Sequence, residues 1–144
     1  IETVEKDHRY RKGLSLLERK NDTTKEGAIT SAAGLVATNM DTANVIVTFT
    51  DSGSTTLRAS QQRAGGLPIL GLTPNITTAR QLTVVWGVTP MVIENLKNFD
   101  DMTAEARKAV VAQQLAKEGD NVVVTAGIPF GKAGTTNMLY VLEV

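Results

Sequence analysis

A run of hydroxyl side chains around a glycine, Thr50-Asp-Ser-Gly-Ser-Thr-Thr56, follows a β-branched stretch and precedes a helical pattern. Unpaired backbone amides at a helix start bind phosphate oxygens, and hydroxyl groups add donors without adding charge. Loops that follow a strand in α/β proteins commonly hold phosphates. The alternative is that Ser52, Ser54 and Thr55 only cap the helix. The segment therefore predicts either a phosphate site or a capped helix start.

A second unusual segment, Ala126-Gly-Ile-Pro-Phe-Gly-Lys-Ala-Gly-Thr-Thr-Asn137, places three glycines, a lysine and two threonines in one turn. It is not a Walker phosphate loop, because only three residues separate Gly127 from Gly131 and Ala133 replaces the metal-binding hydroxyl residue. Taken alone, the pattern is typical of a wide hairpin turn. In a doubly wound sheet, however, both segments can reach the same carboxyl edge, which favours a shared phosphate site.

Other chemically active residue types are scarce. The chain has no cysteine, and its one histidine, His8, lies in a charged leader where we expect a solvated side chain. Thiolate chemistry is thereby excluded, as are a Ser-His-acid constellation and a histidine-based metal site in the folded core. Asp100 and Asp101 are expected in a solvated loop that starts a helix, and Trp86 is expected to pack. Three arginines, also expected at the surface, could reach an anion from neighbouring helices: Arg58, Arg63 and Arg80.

The overall composition is that of one folded domain without a charge bias. The 144 residues are 42% hydrophobic and 21% charged, and fifteen basic side chains balance fifteen acidic ones. This balance argues against a nucleic-acid partner. The longest apolar runs fall far short of the roughly 20 residues that a membrane span needs, and no signal peptide pattern opens the chain. The expected location is therefore the cytoplasm.

The elements that must position the two segments start with a helix. Thr23 and Glu26 have the spacing of a capping box, and apolar residues then recur at helical spacing between Ile29 and Met40. Further helices are expected at 54–63, 77–85 and 102–117, the last ending before Gly119.

Short β-branched or alternating runs separate these helices. They predict strands at 44–50, 68–72, 88–92, 120–126 and 135–144, with Pro90 confining the third to a sheet edge. Alternating strands and helices indicate a mostly parallel sheet covered on both faces, and the short final link indicates one antiparallel strand. The predicted class is α/β, a three-layer α/β/α sandwich with a mostly parallel five-stranded sheet whose last strand is antiparallel.

Several blocks of the sequence resemble bacterial pyruvate kinases. The stretch from Gly119 to Met138, with the strand that continues to Val144, is similar to the end of those enzymes. Shorter blocks agree as well: Val47-Thr-Phe-Thr-Asp-Ser-Gly-Ser-Thr55, Pro68-Ile-Leu-Gly-Leu-Thr-Pro-Asn75, Thr78-Ala-Arg-Gln81 and Trp86-Gly-Val88. The blocks occur in family order over roughly residues 25–144, so the chain resembles the C-terminal regulatory domain of that family.

The resemblance implies a domain of α/β/α layers around a mixed five-stranded sheet. In the whole enzyme this domain follows a catalytic barrel that transfers phosphate from phosphoenolpyruvate to ADP with Mg²⁺ and K⁺. The chain has no room for that barrel and none of its substrate or metal motifs, so we expect no cofactor here and no catalysis by the chain alone. Residues 1–20 would be the tail of the last barrel helix and a connector, and residues 21–144 the regulatory domain.

The resemblance also implies an effector site. In the first loop, the phosphate donors would be Thr50, Ser52, Gly53, Ser54 and Thr55. The second loop, closing over the same ligand, would comprise Pro129, Phe130, Gly131, Lys132, Ala133, Gly134 and Thr135. Where some relatives place Lys and Arg in the first loop, this chain has Asp51 and Ser54. The lost positive charge favours a sugar monophosphate or a nucleotide over a bisphosphate, and the effector's identity stays open.

Two functions from different classes are compatible with these residues. The first is regulation, in which a bound effector shifts domain and subunit packing and so alters a distant catalytic site. The second is assembly, in which the final strand and a neighbouring helix pair across a subunit interface and the effector site is vestigial. The expected partners are the catalytic barrel and further copies in a homo-oligomer, a tetramer in the whole enzyme. A free-standing enzyme is disfavoured because the general base is missing.

Overall fold

The computed structural model describes residues 22–144, together with Thr3 and Asp7. Apart from those two positions, the expected connector at 1–20, with His8, lies outside the described residues. The elements in chain order are α1 (Lys25–Asn39), β1 (Ala43–Phe49), α2 (Ser54–Gln62), a 3₁₀ turn (Ala64–Gly66), β2 (Ile69–Thr73), α3 (Ile76–Leu82), β3 (Val88–Val92), α4 (Phe99–Ala112), β4 (Asn121–Gly127) and β5 (Thr136–Glu143).

The strands form one five-stranded sheet in the order β3-β2-β1-β4-β5. All neighbours pair in parallel except β4 and β5, which are antiparallel. The predicted fold class is therefore confirmed, including the edge position of the strand that contains Pro90. From β1 the chain winds outward through β2 to β3 and then returns to β4 on the other side of β1. The strand order consequently reverses between β1 and β4, which makes this the topological switch point of the sheet.

The sheet is buried on both faces because alternate residues of each strand point to opposite sides. On one face, Val45 and Val47 pack with Met102 and Ala106 of α4. On the other face, Ile46 packs with residues of α1 and α2. Three layers result, and among the helices that the structure describes α4 is the one on its side of the sheet.

Helix α1 contacts the sheet through small residues, which differs from the expected apolar stripe. Its buried residues are Gly27, Thr30, Ala33, Gly34 and Ala37. Of the expected stripe, Ala33 and Ala37 are buried, Ile29, Val36 and Met40 are half-buried, and Ala32 is exposed. A Cβ on Gly34 would lie 3.3 Å from the Gln62 side chain, so this helix approaches α2 closely.

The N-cap of α1 is Thr24 and not the predicted Thr23. The Thr24 hydroxyl accepts from the Gly27 amide at 3.1 Å, and the carboxylate of Asp22 accepts from both the Thr24 amide and its hydroxyl. Because Asp22 also bonds Arg58, the chain enters the helix one residue later than a capping box at Thr23 requires. The predicted N-cap was therefore wrong by one residue, and Gly27 stands where a capping box would need Glu or Gln.

Helix α4 differs most from its predicted bounds. Asn98 caps it by accepting from the Asp101 amide, so the helix begins at Phe99 instead of Met102. It ends at Ala112, because Gln114 takes a positive φ of 55°, and Gly119 lies beyond a further loop. The predicted core residues Ala106, Ala109 and Val110 are fully buried.

Candidate functional site

A cleft of about 210 Å³ lies at the carboxyl ends of the strands, beside the switch point. Its walls come from the loops after β1, β2 and β3 and from the hairpin that joins β4 to β5. The two segments singled out in the sequence therefore meet in one cavity. Of the predicted residues, those that line it are Thr50, Ser52, Ser54, Thr55, Phe130, Gly131, Lys132, Ala133, Gly134 and Thr135. Gly53 and Pro129 lie beside the lining and do not form part of it.

The loop after β1 is held in a fixed shape by its own hydrogen bonds. The hydroxyl of buried Thr50 accepts from the Gly53 amide at 2.8 Å, and the Asp51 carbonyl accepts from the Thr78 hydroxyl at 2.8 Å. Gly53 has a φ of 86° and is the N-cap of α2, with no side chain to bond the amides of the first turn. Within the described residues, the helix therefore presents its positive end to the cleft with no side-chain cap on its first amides.

Two threonine pairs anchor the first turn of α2 from beneath. Thr56 bonds Thr48 of β1 at 2.7 Å, and Thr55 bonds Thr136 of β5 at 2.5 Å. All four side chains are buried. The predicted phosphate donor Thr55 thus ties the first loop to the end of the second, while Ser52 and Ser54, in mutual contact at 3.1 Å, are the more accessible hydroxyl groups of this loop.

The hairpin between β4 and β5 is fixed at its base and open at its tip. The Asn137 side chain accepts from the Ile128 amide at 2.9 Å and donates to the Ile128 carbonyl at 2.6 Å, which adds one rung to the hairpin. The Thr135 hydroxyl donates to the Lys132 carbonyl at 2.7 Å. At the tip, Gly131 and Gly134 have positive φ and no atoms within 4 Å of where a Cβ would stand. The tip residues from 131 to 134 are exposed.

The charges along the cleft are mixed. Among the described residues that line it, Lys132 is the one cation, whereas Asp51 and Glu94 contribute carboxylates. Arg58, on the helix that starts at the first loop, donates to Asp22 at 2.8 Å. The Thr24 hydroxyl and then Arg58 hold the pKa of Asp22 down to about 2.

The remaining candidates lie away from the cleft. Trp86, which was expected to pack, lies under the Arg63 guanidinium. The central carbon of that group is 4.6 Å from the centroid of the Trp86 ring. Asp100 and Asp101 occupy the first turn of α4. Within residues 22–144, Thr3 and Asp7, no group of three or more acidic, histidine or cysteine residues could hold a metal ion. No helix of the same described part is long and apolar enough to cross a membrane.

Sequence reasoning missed the side of the cleft formed after β2 and β3. Pro74 and the segment Ile93 to Leu96, which includes Glu94 and Asn95, line the cavity. The available signal was positional, because these residues follow the carboxyl ends of two predicted strands, where parallel sheets place their loops. Their residue types alone carry no motif.

Fold and cleft together define a doubly wound α/β domain whose cavity lies at its topological switch point. Residues 27–142 match the family model described as "Pyruvate kinase, alpha/beta domain". The chain belongs to this family, which is the C-terminal domain of pyruvate kinases.

Individual relatives agree with the family model. The chain is 37% identical over 143 residues to a protein named "Pyruvate kinase" from Methylorubrum extorquens and 41% identical over 143 residues to one from Agrobacterium vitis. Each alignment covers 99% of this chain and 30% of the relative. A third, from Staphylococcus saprophyticus, is 37% identical over 130 residues, which is 90% of this chain and 22% of the relative. The chain thus spans less than a third of the length of these relatives.

Proposed function

We propose that this chain is a regulatory domain of a pyruvate kinase and that its cleft binds the phosphate group of an allosteric effector. The observation that carries the proposal is the meeting of the two loops in one cavity at the N-terminus of α2. Gly53 leaves the amides of that helix without a side-chain acceptor, and Ser52 and Ser54 stand beside them. A dianionic phosphate would gain hydrogen bonds and a favourable dipole there.

The lid of this site is the exposed hairpin tip, which carries Lys132. An ammonium group on a flexible stem can reach a phosphate as a point charge without a fixed geometry. Thr136, at the end of this hairpin, bonds Thr55 of the first loop. A ligand that shifts one loop would therefore shift the other through this bond. Closure of the lid would change the packing at one end of β5, and regulation requires such a two-state element.

In the whole protein, the regulated reaction would be the transfer of phosphate from phosphoenolpyruvate to ADP. The relatives are named pyruvate kinases and extend far beyond the length that this chain matches. The catalytic barrel, with its Mg²⁺ and K⁺, would belong to that remaining length. The chain itself would bind and not catalyse, in the cytoplasm where glycolysis takes place.

Thermal unfolding of the chain with phosphorylated metabolites tests the binding role. A ligand at 100 times its dissociation constant raises the free energy of unfolding by about 2.7 kcal/mol. Ser52→Ala with Ser54→Ala should abolish this stabilisation, whereas Ser31→Ala, an exposed serine on α1, should leave it intact. Unimpaired binding by the double variant would contradict the proposal.

A second role, in subunit assembly, is favoured by β5. This eight-residue strand is the outer strand of the sheet, and within the described residues it pairs only with β4. Leu35 on the adjoining helix α1 is 62% exposed. An unpaired edge beside an apolar side chain is a template for pairing with another copy. Sedimentation checks this role, because a strict monomer at high concentration counts against it.

A further inference from the structure

One buried hydroxyl group of the sheet has no hydrogen-bond partner within residues 22–144. It belongs to Thr125 of β4, whose side chain is fully buried. A buried hydroxyl has lost its bonds to water, so native proteins seldom keep one without a new partner. Valine has nearly the same shape and would avoid this cost. The unpaired hydroxyl therefore points to a second arrangement of the molecule in which Thr125 has a partner.

The nearest candidate partner of Thr125 lies on the neighbouring strand. Thr125 is in register with Thr48 of the parallel strand β1. Both side chains face α1 and α2, because Ile46 and Val123, two residues earlier on each strand, pack on that side. Neighbouring strands are about 4.8 Å apart. Rotation about the Cα–Cβ bond of Thr125, from one staggered rotamer to another, can therefore bring its hydroxyl to Thr48.

Thr48 has room for this second bond. Its hydroxyl lies 2.7 Å from the hydroxyl of Thr56, and both side chains are fully buried. A threonine hydroxyl donates one hydrogen and accepts up to two, so Thr48 can bond Thr56 and Thr125 together. Thr56 is held in place, because a Cβ on Gly71 would lie 3.2 Å from its methyl carbon. A chain of three hydroxyl groups from β4 to α2 thus lacks only its first bond.

The two strands that carry this chain lead directly to the two walls of the cleft. Two residues after Thr48 comes Thr50 of the first loop, and two residues after Thr125, β4 ends at Gly127, the base of the hairpin. The pairing of β4 with β5 is irregular just before Gly127, and such irregularities let a strand twist locally. A Cβ on Gly127 would lie 2.6 Å from the Thr135 hydroxyl, so the returning chain of the hairpin is packed against this strand end. A shift of the hairpin is thereby passed toward Thr125.

We propose that Thr125 is a buried switch, whose hydroxyl has no partner while the hairpin is open and bonds Thr48 when the hairpin closes over the cleft. Closure then completes the chain from Thr125 through Thr48 to Thr56. The unpaired hydroxyl of the open arrangement favours closure, because closing removes its cost. The inference rests on the proposed lid and adds the two-state element that regulation requires.

Thr125→Val tests the switch, because valine keeps the shape and removes the hydroxyl. In denaturant unfolding of the free 144-residue chain, the midpoint should stay the same or rise, since the open arrangement loses only an unpaired group. Affinity for a phosphate probe, glucose 6-phosphate or inorganic phosphate, should fall about fivefold to tenfold, since the closed arrangement loses a hydrogen bond. Thr125→Ser, which keeps the hydroxyl, should restore the affinity.

Thr30→Val is the matched control. Thr30 is an equally buried threonine, but its hydroxyl donates to the carbonyls of Glu26 and Gly27 within its own helix, α1. This variant should lower the unfolding midpoint and leave the affinity for the phosphate probe unchanged.

The rotamer of Thr125 gives a second readout, which a purely structural role would not move. Three-bond couplings of its γ-methyl carbon report χ1 and should change when the phosphate probe is added. In the free chain, the closed arrangement is a minor state, so methyl relaxation dispersion should show common exchange for Thr48 and Thr125.

The outcomes separate the switch from the function on which it rests. If Thr125→Val lowers the midpoint of the free chain, the hydroxyl already has a partner and the switch is wrong. It is also wrong if Thr125→Val leaves the affinity for the phosphate probe unchanged, because the hydroxyl is then only tolerated. If neither probe binds, the proposed phosphate site fails and the relaxation measurement decides on the switch. Common exchange of Thr48 and Thr125 would then support it, and the lack of such exchange would overturn it.

Discussion

The two loops that form the cleft are held in opposite ways. The loop from Thr50 to Thr55 is fixed by buried hydroxyl groups and closed by a glycine packed against α3. The hairpin from Pro129 to Thr135 is anchored at its base and by Phe130, which packs against the core, and the two glycines of its tip have open space around them. One wall of the site is thus preformed, while the other is a short exposed segment on an anchored base. Such a difference would suit the proposed function, in which a rigid loop holds the phosphate and an adaptable hairpin tip covers it.

The largest expected effect on the free energy of unfolding comes from replacing one glycine in each loop by alanine. Gly53 and Gly131 both have positive φ, but a Cβ on Gly53 would lie 3.3 Å from Thr78 and 3.4 Å from Leu82, whereas Gly131 has nothing within 4 Å. Gly53→Ala should lower the free energy of unfolding by about 2–3 kcal/mol and Gly131→Ala by about 1 kcal/mol. Denaturant unfolding measures both. Equal losses would mean that the first loop is no more tightly packed than the second.

The next effect concerns the bond that joins the two loops. Thr55→Val should cost about 1–2 kcal/mol, because it leaves the buried Thr136 hydroxyl without its partner. The pair of changes Thr55→Val and Thr136→Val should recover most of the loss, since both polar groups are then replaced by groups of the same shape. A double-mutant cycle measures this coupling. Additive losses would show that the two hydroxyl groups do not depend on each other.

A smaller loss is expected at the hairpin base. Asn137→Ala removes two hydrogen bonds to Ile128, both exposed to solvent, so the cost should be about 0.5–1 kcal/mol. Amide hydrogen exchange at Ile128 should accelerate, while exchange at Thr56 in the preformed wall should not. If amide exchange accelerates equally at Ile128 and at Thr56, the two loops are not anchored independently of each other.

The smallest effect depends on pH and lies outside both loops. Because the pKa of Asp22 is depressed to about 2 by Thr24 and then Arg58, its contacts stabilise the fold above the unfolded pKa of about 3.9. This stabilisation is lost as the pH falls from about 4 to about 2. The wild-type chain should therefore be more stable than Asp22→Asn at pH 7, and the difference should vanish toward pH 2. A difference independent of pH would assign the effect to packing.

The sequence predicts the fold well because its signals are local. The β-branched run at β1 indicates a strand buried on both faces by its own residue types. Pro90 lacks the amide that an inner strand needs, which places β3 at an edge. The larger boundary error, at α4, missed a local signal, the cap at Asn98. The error at α1 arose where a tertiary contact acts. Arg58 draws Asp22 to α2 and so moves the cap to Thr24, although these residues are 36 positions apart.

The candidate site was predicted only in part for the same reason. The hydroxyl and glycine residues of the two loops carry recognisable patterns, and the structure brings both loops together. Whether they bind phosphate stays a prediction. The segment from Ile93 to Leu96 carries no pattern, because its place in the cleft follows from strand order and not from spacing along the chain.

The shortness of the hairpin has a kinetic consequence. Only residues 128–135 separate β4 from β5, and the Asn137 contacts hold the first of them. Loop motions in folded proteins take roughly nanoseconds to microseconds, which is far faster than a ligand at micromolar concentration arrives by diffusion. Lid closure would therefore not limit the rate of capture. The time that a ligand stays bound would instead be set by the contacts it makes with both loops.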